Sequence, residues 1–164
     1  MAIVNKIAPC LWFDDQAEEA ARFYVSVFPN SSVGAIGHYG KAGFEIHKRP
    51  QGSVMTVAFT LDGQEFLALN GGPLFKFNEA VSLMVRCETQ DEIDYFWSKL
   101  GTAGGGEDGP CGWLKDKFGL SWQIAPANMP WLMSDDERSD RAMAALMQMK
   151  KLDMTALERA YDGT

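Results

Sequence analysis

One pattern occurs twice in this chain and restricts its fold more than any other feature. Residues 7–31, IAPCLWFDDQAEEAARFYVSVFPNS, read as a strand, a carboxylate-rich turn, an amphipathic helix and a Pro-Asn-Ser stop. Ile, Leu, Trp and Phe at the start suit a pleated, half-buried surface. Asp14 and Asp15 are expected to cap the helix, because a short carboxylate accepts the free N–H groups of a first turn. Ala17, Ala20, Ala21, Tyr24, Val25 and Phe28 recur at three- and four-residue spacing and form one apolar stripe. Glu18, Glu19 and Arg22 fall on the other side, and Pro29 ends the helix. Residues 82–100, SLMVRCETQDEIDYFWSKL, repeat the layout, with Glu88-Thr89 at the cap and Ile93, Phe96, Trp97 and Leu100 on the stripe. Each copy is followed by a second echo, LDGQEFL at residues 61–67 and KFGLSWQ at 117–123, in which a glycine turn leads into an apolar strand. Two related halves follow from this repetition.

The intervening residues complete each half. Residues 32–39 are a plausible strand weakened by Gly34 and Gly37, and 40–52 read as a loop holding His47, with His38 beside it. Val57, Phe59 and Leu61 alternate with Ala58 and Thr60, and Asp62-Gly63 signals a hairpin into residues 65–70. Gly71-Gly72-Pro73 closes the first half. In the second, six glycines punctuate residues 101–112 before two short strands at 113–115 and 120–125. The reading is thus about eight strands in two groups of four, each opened by a strand–helix pair. Residues 126–130, ending in Pro130, break the pattern. The tail is helical: residues 138–151 place Met143, Leu146 and Met147 on one side, and a second helix follows Asp153 with Met154, Leu157 and Tyr161 inward.

Composition excludes several classes. With 164 residues, 46% hydrophobic and 12% aromatic, the chain is long and apolar enough to bury a core. Its net charge of −7 supplies no basic stripe to displace counterions from phosphates, so nucleic acid is not an expected partner. No apolar run approaches the length that spans a bilayer. The first ten residues, MAIVNKIAPC, lack the basic segment and long apolar core of a secretion signal, which points to the cytoplasm. Cys10, Cys87 and Cys111 form no CxxC pair and read as reduced, structural thiols.

Few residues suggest chemistry. Two histidines in one glycine-rich region do not make a His-rich metal site. Gly104-Gly105-Gly106 follows a helix and lacks the Lys-Ser/Thr of a phosphate loop, so it reads as a turn. More telling are the polar residues inside apolar strands: Asn70, Ser82, Arg86 and Gln123. A polar group buried without a partner costs roughly 1–3 kcal/mol, so such residues line a cavity or satisfy a structural hydrogen bond. Gln123 alternates with Trp122 and Ile124, and Ser82 and Met84 alternate with Leu83 and Val85, which turns them away from the helix side.

Three runs carry a family resemblance: CLWFDDQAEEAARFYVSVFPNS, GSVMTVAFTLDGQEFLALNGGP and CGWLKDKFGLSWQIAP. Together they resemble the PhnB-like proteins of the glyoxalase/bleomycin-resistance (vicinal oxygen chelate) superfamily, which are often labelled 3-demethylubiquinone-9 3-methyltransferase-like. The resemblance implies an α+β fold of two βαβββ modules forming curved mixed sheets, here residues 1–73 and 74–127, with C-terminal helices over 128–164. It also implies homodimers, with modules exchanged between chains in some relatives. In metal-using relatives the first and last strands of each module supply the ligands. Those places fall on Pro9, Leu67 (or Ala68), Ser82 and Gln123, of which only Gln123 could coordinate as drawn.

The resulting expectation is a cytoplasmic, homodimeric protein that binds a small organic molecule, with no cofactor and no bound metal. Leu11, Phe13, Ser82, Met84 and Gln123 are the expected lining, with Asn70 and Arg86 at the rim and Trp12 and Trp122 beneath the helices. Two enzyme readings stand beside it. A metal-dependent glyoxalase or dioxygenase would recruit His38, Glu45 or His47. Methyl transfer, the activity in the family label, would need a site unlike the doubly wound sheet with its glycine-rich first turn, because the first strand here runs into Phe13-Asp14-Asp15.

Overall fold

The computed structural model describes residues 6–129 and 136–164, so the expectation at Pro130 lies outside the described residues. The chain divides into two compact units, one running to Lys76 and one from Phe77 onward. The first contains β1 (Cys10–Phe13), α1 (Ala17–Val27), β2 (Ser32–His38), a single helical turn α2 (Phe44–His47), β3 (Val54–Leu61) and β4 (Gln64–Asn70). Its sheet runs β1-β4-β3-β2, with β1 parallel to β4 and the other pairs antiparallel. The β3–β4 turn is set by Asp62 and Gly63, whose φ angles are 45° and 78°. Two left-handed residues in succession match the twist of a hairpin.

Period-two alternation decides what this sheet buries. Val57, Phe59 and Leu61 of β3 and Phe66 and Ala68 of β4 face α1, which returns Ala17, Ala20, Ala21, Tyr24 and Val27. The three alanines leave room beneath the helix for Tyr24. Its ring stacks on Phe59 with centroids 6.3 Å apart. Phe59 in turn stacks on Phe66 at 5.3 Å, within the range where aromatic pairs attract. Val27 completes the stripe, and Val25 and Phe28, expected inside, are only half-buried.

Two expectations for this unit are corrected. Neither Asp14 nor Asp15 caps α1. The helix starts at Gln16 without a local side-chain cap, and the N–H of Ala17 donates instead to Asn70 Oδ1 at 2.8 Å, a residue 53 positions away. Asp14 is engaged elsewhere, by the Arg49 guanidinium at 2.9 Å. Trp12 does not lie under the helix. The parallel register pairs Leu11 with Ala68 and Phe13 with Asn70, so Leu11 and Phe13 enter the core and Trp12 turns to the opposite face. There its indole N–H donates to the Gly72 carbonyl at 2.8 Å and Phe75 meets it edge-on. Gly71 has to be glycine, because a Cβ there would overlap the Trp12 ring.

The second unit repeats the order with β5 (Ser82–Cys87), α3 (Gln90–Leu100), β6 (Glu107–Asp108), β7 (Trp113–Lys115) and β8 (Ser121–Pro126), in the sheet order β5-β8-β7-β6. Again the first strand lies parallel to the last. Ile93, Phe96, Trp97 and Leu100 of α3 cover Trp122 and Ile124, as the helical spacing predicts. Thr89 caps α3 by accepting from the Glu92 N–H at 3.2 Å, and the Glu92 carboxylate reaches back to the Glu88 N–H at 2.6 Å, a reciprocal arrangement that satisfies two free donors. Asp116, only 3% exposed, orders the β7–β8 turn: its oxygens accept from the N–H groups of Phe118 and Leu120 and from Trp122 Nε1.

The tail packs on this unit. α4 (Glu137–Leu146) and α5 (Met154–Asp162) are capped by Asp136 and Asp153. Ala142, Leu152 and Leu157 bury Ala125 of β8. The connecting segment is pinned by Cys111 and Gly112, whose N–H groups donate to Met149 and Lys150, by Gln90, and by an ion pair from Lys151 to Asp94 at 2.6 Å. α4 stops before the expected residue 151. Met147, expected on its inner side, is therefore 64% exposed, while Ala145, Leu146 and Met149 make the contact.

Candidate functional site

Each sheet has one face under its own helix and one face turned away from it, which on the second sheet the tail covers at Ala125, and the residues expected at a binding site divide between the two. On the first sheet the open face carries Cys10 and Trp12 of β1, Leu67 and Leu69 of β4, and Ala58 and Thr60 of β3. A groove of about 370 Å³ runs along it, bounded by Ala8, Ser32, Ala58, Thr60, Glu65 and Leu67. Leu11 and Phe13, expected to line a pocket, belong to the core instead, at 7% and 3% exposure, for the reason of register given above. Asn70, expected at a rim, is a structural junction. Its Oδ1 caps α1, its Nδ2 donates to Val54 O at 3.1 Å, and its carbonyl accepts from the Tyr39 hydroxyl at 2.6 Å.

The second open face gathers the remaining expected residues. Ser82, Met84 and Arg86 alternate on β5, with Met84 opposite Gln123 of β8. Gln123 Nε2 donates to Ser82 Oγ at 2.9 Å, so the two polar side chains partner each other across the parallel pair. Met84 is 46% exposed and Arg86 is exposed. The hairpin register adds Trp113 opposite Gln123 and Lys115 opposite Ser121. These three, Trp113, Lys115 and Ser121, are absent from the residues expected from sequence. Parity with Gln123 was the available signal, since Ser121 lies two residues before it on the same strand.

The residues at the family's metal-ligand places do not suit a divalent cation. Leu67, not Ala68, occupies the open face, and parity with Cys10 brings Ala8 there in place of Pro9. Alanine, proline and leucine side chains offer no donor atom, and with Gln123 Nε2 donating to the Ser82 hydroxyl the whole donor set is one neutral hydroxyl and one amide oxygen. The alternative ligands do not assemble. His47 Nδ1 accepts from the Arg49 N–H at 2.9 Å, Nε2 faces the Ala42 carbonyl at 3.2 Å, and the ring lies 4.4 Å from that of Tyr39. Among the described residues no three His, Cys, Asp or Glu side chains are grouped to hold a metal ion.

All three cysteines are free. Burial pushes the Cys10 thiol above its ordinary range, and burial together with the Glu92 carboxylate pushes Cys87 up to about 12. Both shifts run opposite to what an activated nucleophile needs at neutral pH. None of the described helices is long and apolar enough to cross a membrane.

Comparison with known proteins agrees with this geometry. The profile of the family described as 3-demethylubiquinone-9 3-methyltransferase matches residues 5–125. The solved PhnB protein of Bacillus cereus is 38% identical, with a TM-score of 0.61 over 73% of this chain and 98% of that one. Protein PA1353 of Pseudomonas aeruginosa, at 17% identity, shares the fold with a TM-score of 0.58 over 75% of this chain and 98% of its own. No curated protein matches. With two βαβββ units in the same strand order and a match spanning both, the chain belongs to the PhnB-like family described as 3-demethylubiquinone-9 3-methyltransferase, within the glyoxalase (vicinal oxygen chelate) superfamily.

Proposed function

We propose that this protein binds a small organic molecule on the open faces of its sheets, without a divalent cation at the family's ligand places. The observation that carries the reading is the Gln123–Ser82 hydrogen bond on one open face, set against Ala8 and Leu67 at the corresponding places of the other. A metal centre needs converging lone pairs; the ligand places themselves offer two hydrocarbon side chains, one hydroxyl and one amide. Met84 and Leu67 give shape, Gln123 and Ser82 offer hydrogen bonds, and Arg86 gives a charged edge. Elemental assay of untagged protein combined with a thermal-shift screen of metabolites tests it. The expected result is a stabilising organic compound whose effect is lost in Gln123→Leu, with no stoichiometric metal. Zinc, nickel, iron or manganese at one equivalent per chain would overturn it.

The reading includes a homodimer in the cytoplasm, supported by the family membership and tested by sedimentation and by fractionation of cells. Methyl transfer is the second reading, favoured by the family's description. Against it stand two four-stranded mixed sheets and a first strand that runs into Asp14-Asp15 without a glycine turn. Calorimetry with adenosylmethionine decides between the two: saturable heat favours methyl transfer, and none at high concentration favours binding alone.

A further inference from the structure

A second, half-open cavity of about 140 Å³ is lined by Glu107 and Asp108 of β6, Trp113 and Lys115 of β7, Ser121 of β8, and Glu79. It is larger than the space one water molecule occupies. Three carboxylates against one ammonium leave its lining negative. Lys115 Nζ bonds Glu79 at 2.5 Å, and that bond holds the Glu79 carboxyl below and the Lys115 ammonium above their ordinary ranges, so both are ions at neutral pH. Asp108 Oδ1 accepts from the Thr102 N–H at 2.8 Å. Glu107 lies opposite Lys115 in the β6–β7 pair and attracts its ammonium through space, so one ammonium is shared between Glu79 and Glu107 and the wall keeps a net negative charge.

A second observation at the same place is independent of charge. Ser121 is 1% exposed, and its Oγ has no hydrogen-bond partner among the described residues. Buried hydroxyls without partners are uncommon, because desolvation is unfavourable unless a bond replaces the lost water. This one lines the cavity. Trp113 and Pro110 supply the apolar wall, and an indole face attracts cations.

We propose that this cavity binds a small organic ammonium ion. Its N–H groups donate to the Glu107 carboxylate and to Ser121 Oγ, and its hydrocarbon part lies against Trp113 and Pro110. An anion is disfavoured by the negative lining, and a neutral alcohol leaves the net negative charge unmatched. The cavity lies on the same open face as Ser82 and Gln123, so the proposal rests on the reading of that face as a binding surface; benzylamine shifts that survive Gln123→Leu but not Glu107→Gln distinguish the two.

The test uses the full chain and three probes of one shape: benzylamine, benzyl alcohol and benzoate. Indole and amide resonances of Trp113 and Gly109, assigned with Trp113→Phe, are followed by nitrogen–proton NMR during titration. The expected result is a saturable shift with benzylamine alone, weakened at least fivefold in Glu107→Gln and in Ser121→Ala. Both variants should fold, since the first residue is exposed and the second loses a hydroxyl with no partner among the described residues; unchanged melting temperatures check this. Equal shifts from all three probes, no saturable shift, or unchanged affinity in both variants would overturn the proposal.

Discussion

The two units place the same backbone under different side chains. Registers and hairpins align Ala8 with Ser82, Leu67 with Gln123, Ala58 with Trp113, Thr60 with Lys115 and Glu65 with Ser121. At these places the first open face is mainly hydrocarbon and hydroxyl, while the second carries an amide, an indole and an ammonium. The helix starts differ as well. α1 is capped from across the sheet by Asn70, whereas the matching place at the end of β8 is Pro126, which has no side-chain acceptor, and α3 is capped by its own Thr89 and Glu92. The hairpins differ in the same sense, since the N–H groups of the first turn, Asp62 and Gly63, donate outward to Ser31 Oγ and the Asn30 carbonyl, while the second is longer and organised from within by buried Asp116. The strand order fixes where a side chain points; which group satisfies the backbone there is chosen separately in each unit.

That comparison can be broken at its strongest point first. Asp116→Ala removes a buried carboxylate that accepts three hydrogen bonds. It should cost about 3–4 kcal/mol in urea unfolding followed by tryptophan emission. A loss below about 1 kcal/mol would mean that the longer turn does not depend on its buried carboxylate.

Next is the remote cap. Asn70→Ala strips the Ala17 N–H and the Val54 carbonyl of their partner together. The expected loss is about 2 kcal/mol, with faster amide exchange in the first turn of α1. Thr89→Ala removes a local cap in the other unit. It should cost about 1 kcal/mol, with exchange accelerated in α3 only. If the two substitutions cost the same, distance in sequence has made no difference to capping.

The smallest effect concerns the tail, for which the first unit has no counterpart. The hydrogen bond from Lys151, aided by Gln90, holds the Asp94 carboxyl below the ordinary aspartate range. A depressed acid contributes fully above its unfolded-state value and loses that contribution as pH falls through the folded one. Protection of the Cys111 and Gly112 amides against exchange should therefore be flat at neutral pH and fall only below about pH 4, the region of a free aspartate. Asp94→Asn should abolish that dependence. The effect is small because both partners are exposed.

Much of this architecture can be read from local pattern. The stripe of α3, the alternation of β3 and the Asp62-Gly63 turn each depend on residues within a few positions of one another, and each appears where the spacing places it. α1 was legible in extent but not in its start: Asp14 and Asp15 are good capping residues by type, yet Arg49 takes the first and Asn70 supplies the cap. For the candidate site, Gln123 and Ser82 could be assigned to the open face because large apolar neighbours flank them. In β1 every neighbour is apolar, so Leu11, Trp12 and Phe13 give no local sign of which face is inward.

From sequence alone came the two repeated half-units, the helix stripes, the hairpin and the family, because each depends on short-range periodicity that survives without a partner. Tertiary structure alone decided the parity of β1, the exchange of Trp12 for Leu11 and Phe13, and the gathering of Lys115 and Ser121 around one cavity. The physical reason is pairing: a strand's inward face is set by the neighbour it hydrogen-bonds, and for β1 that neighbour begins more than fifty residues later.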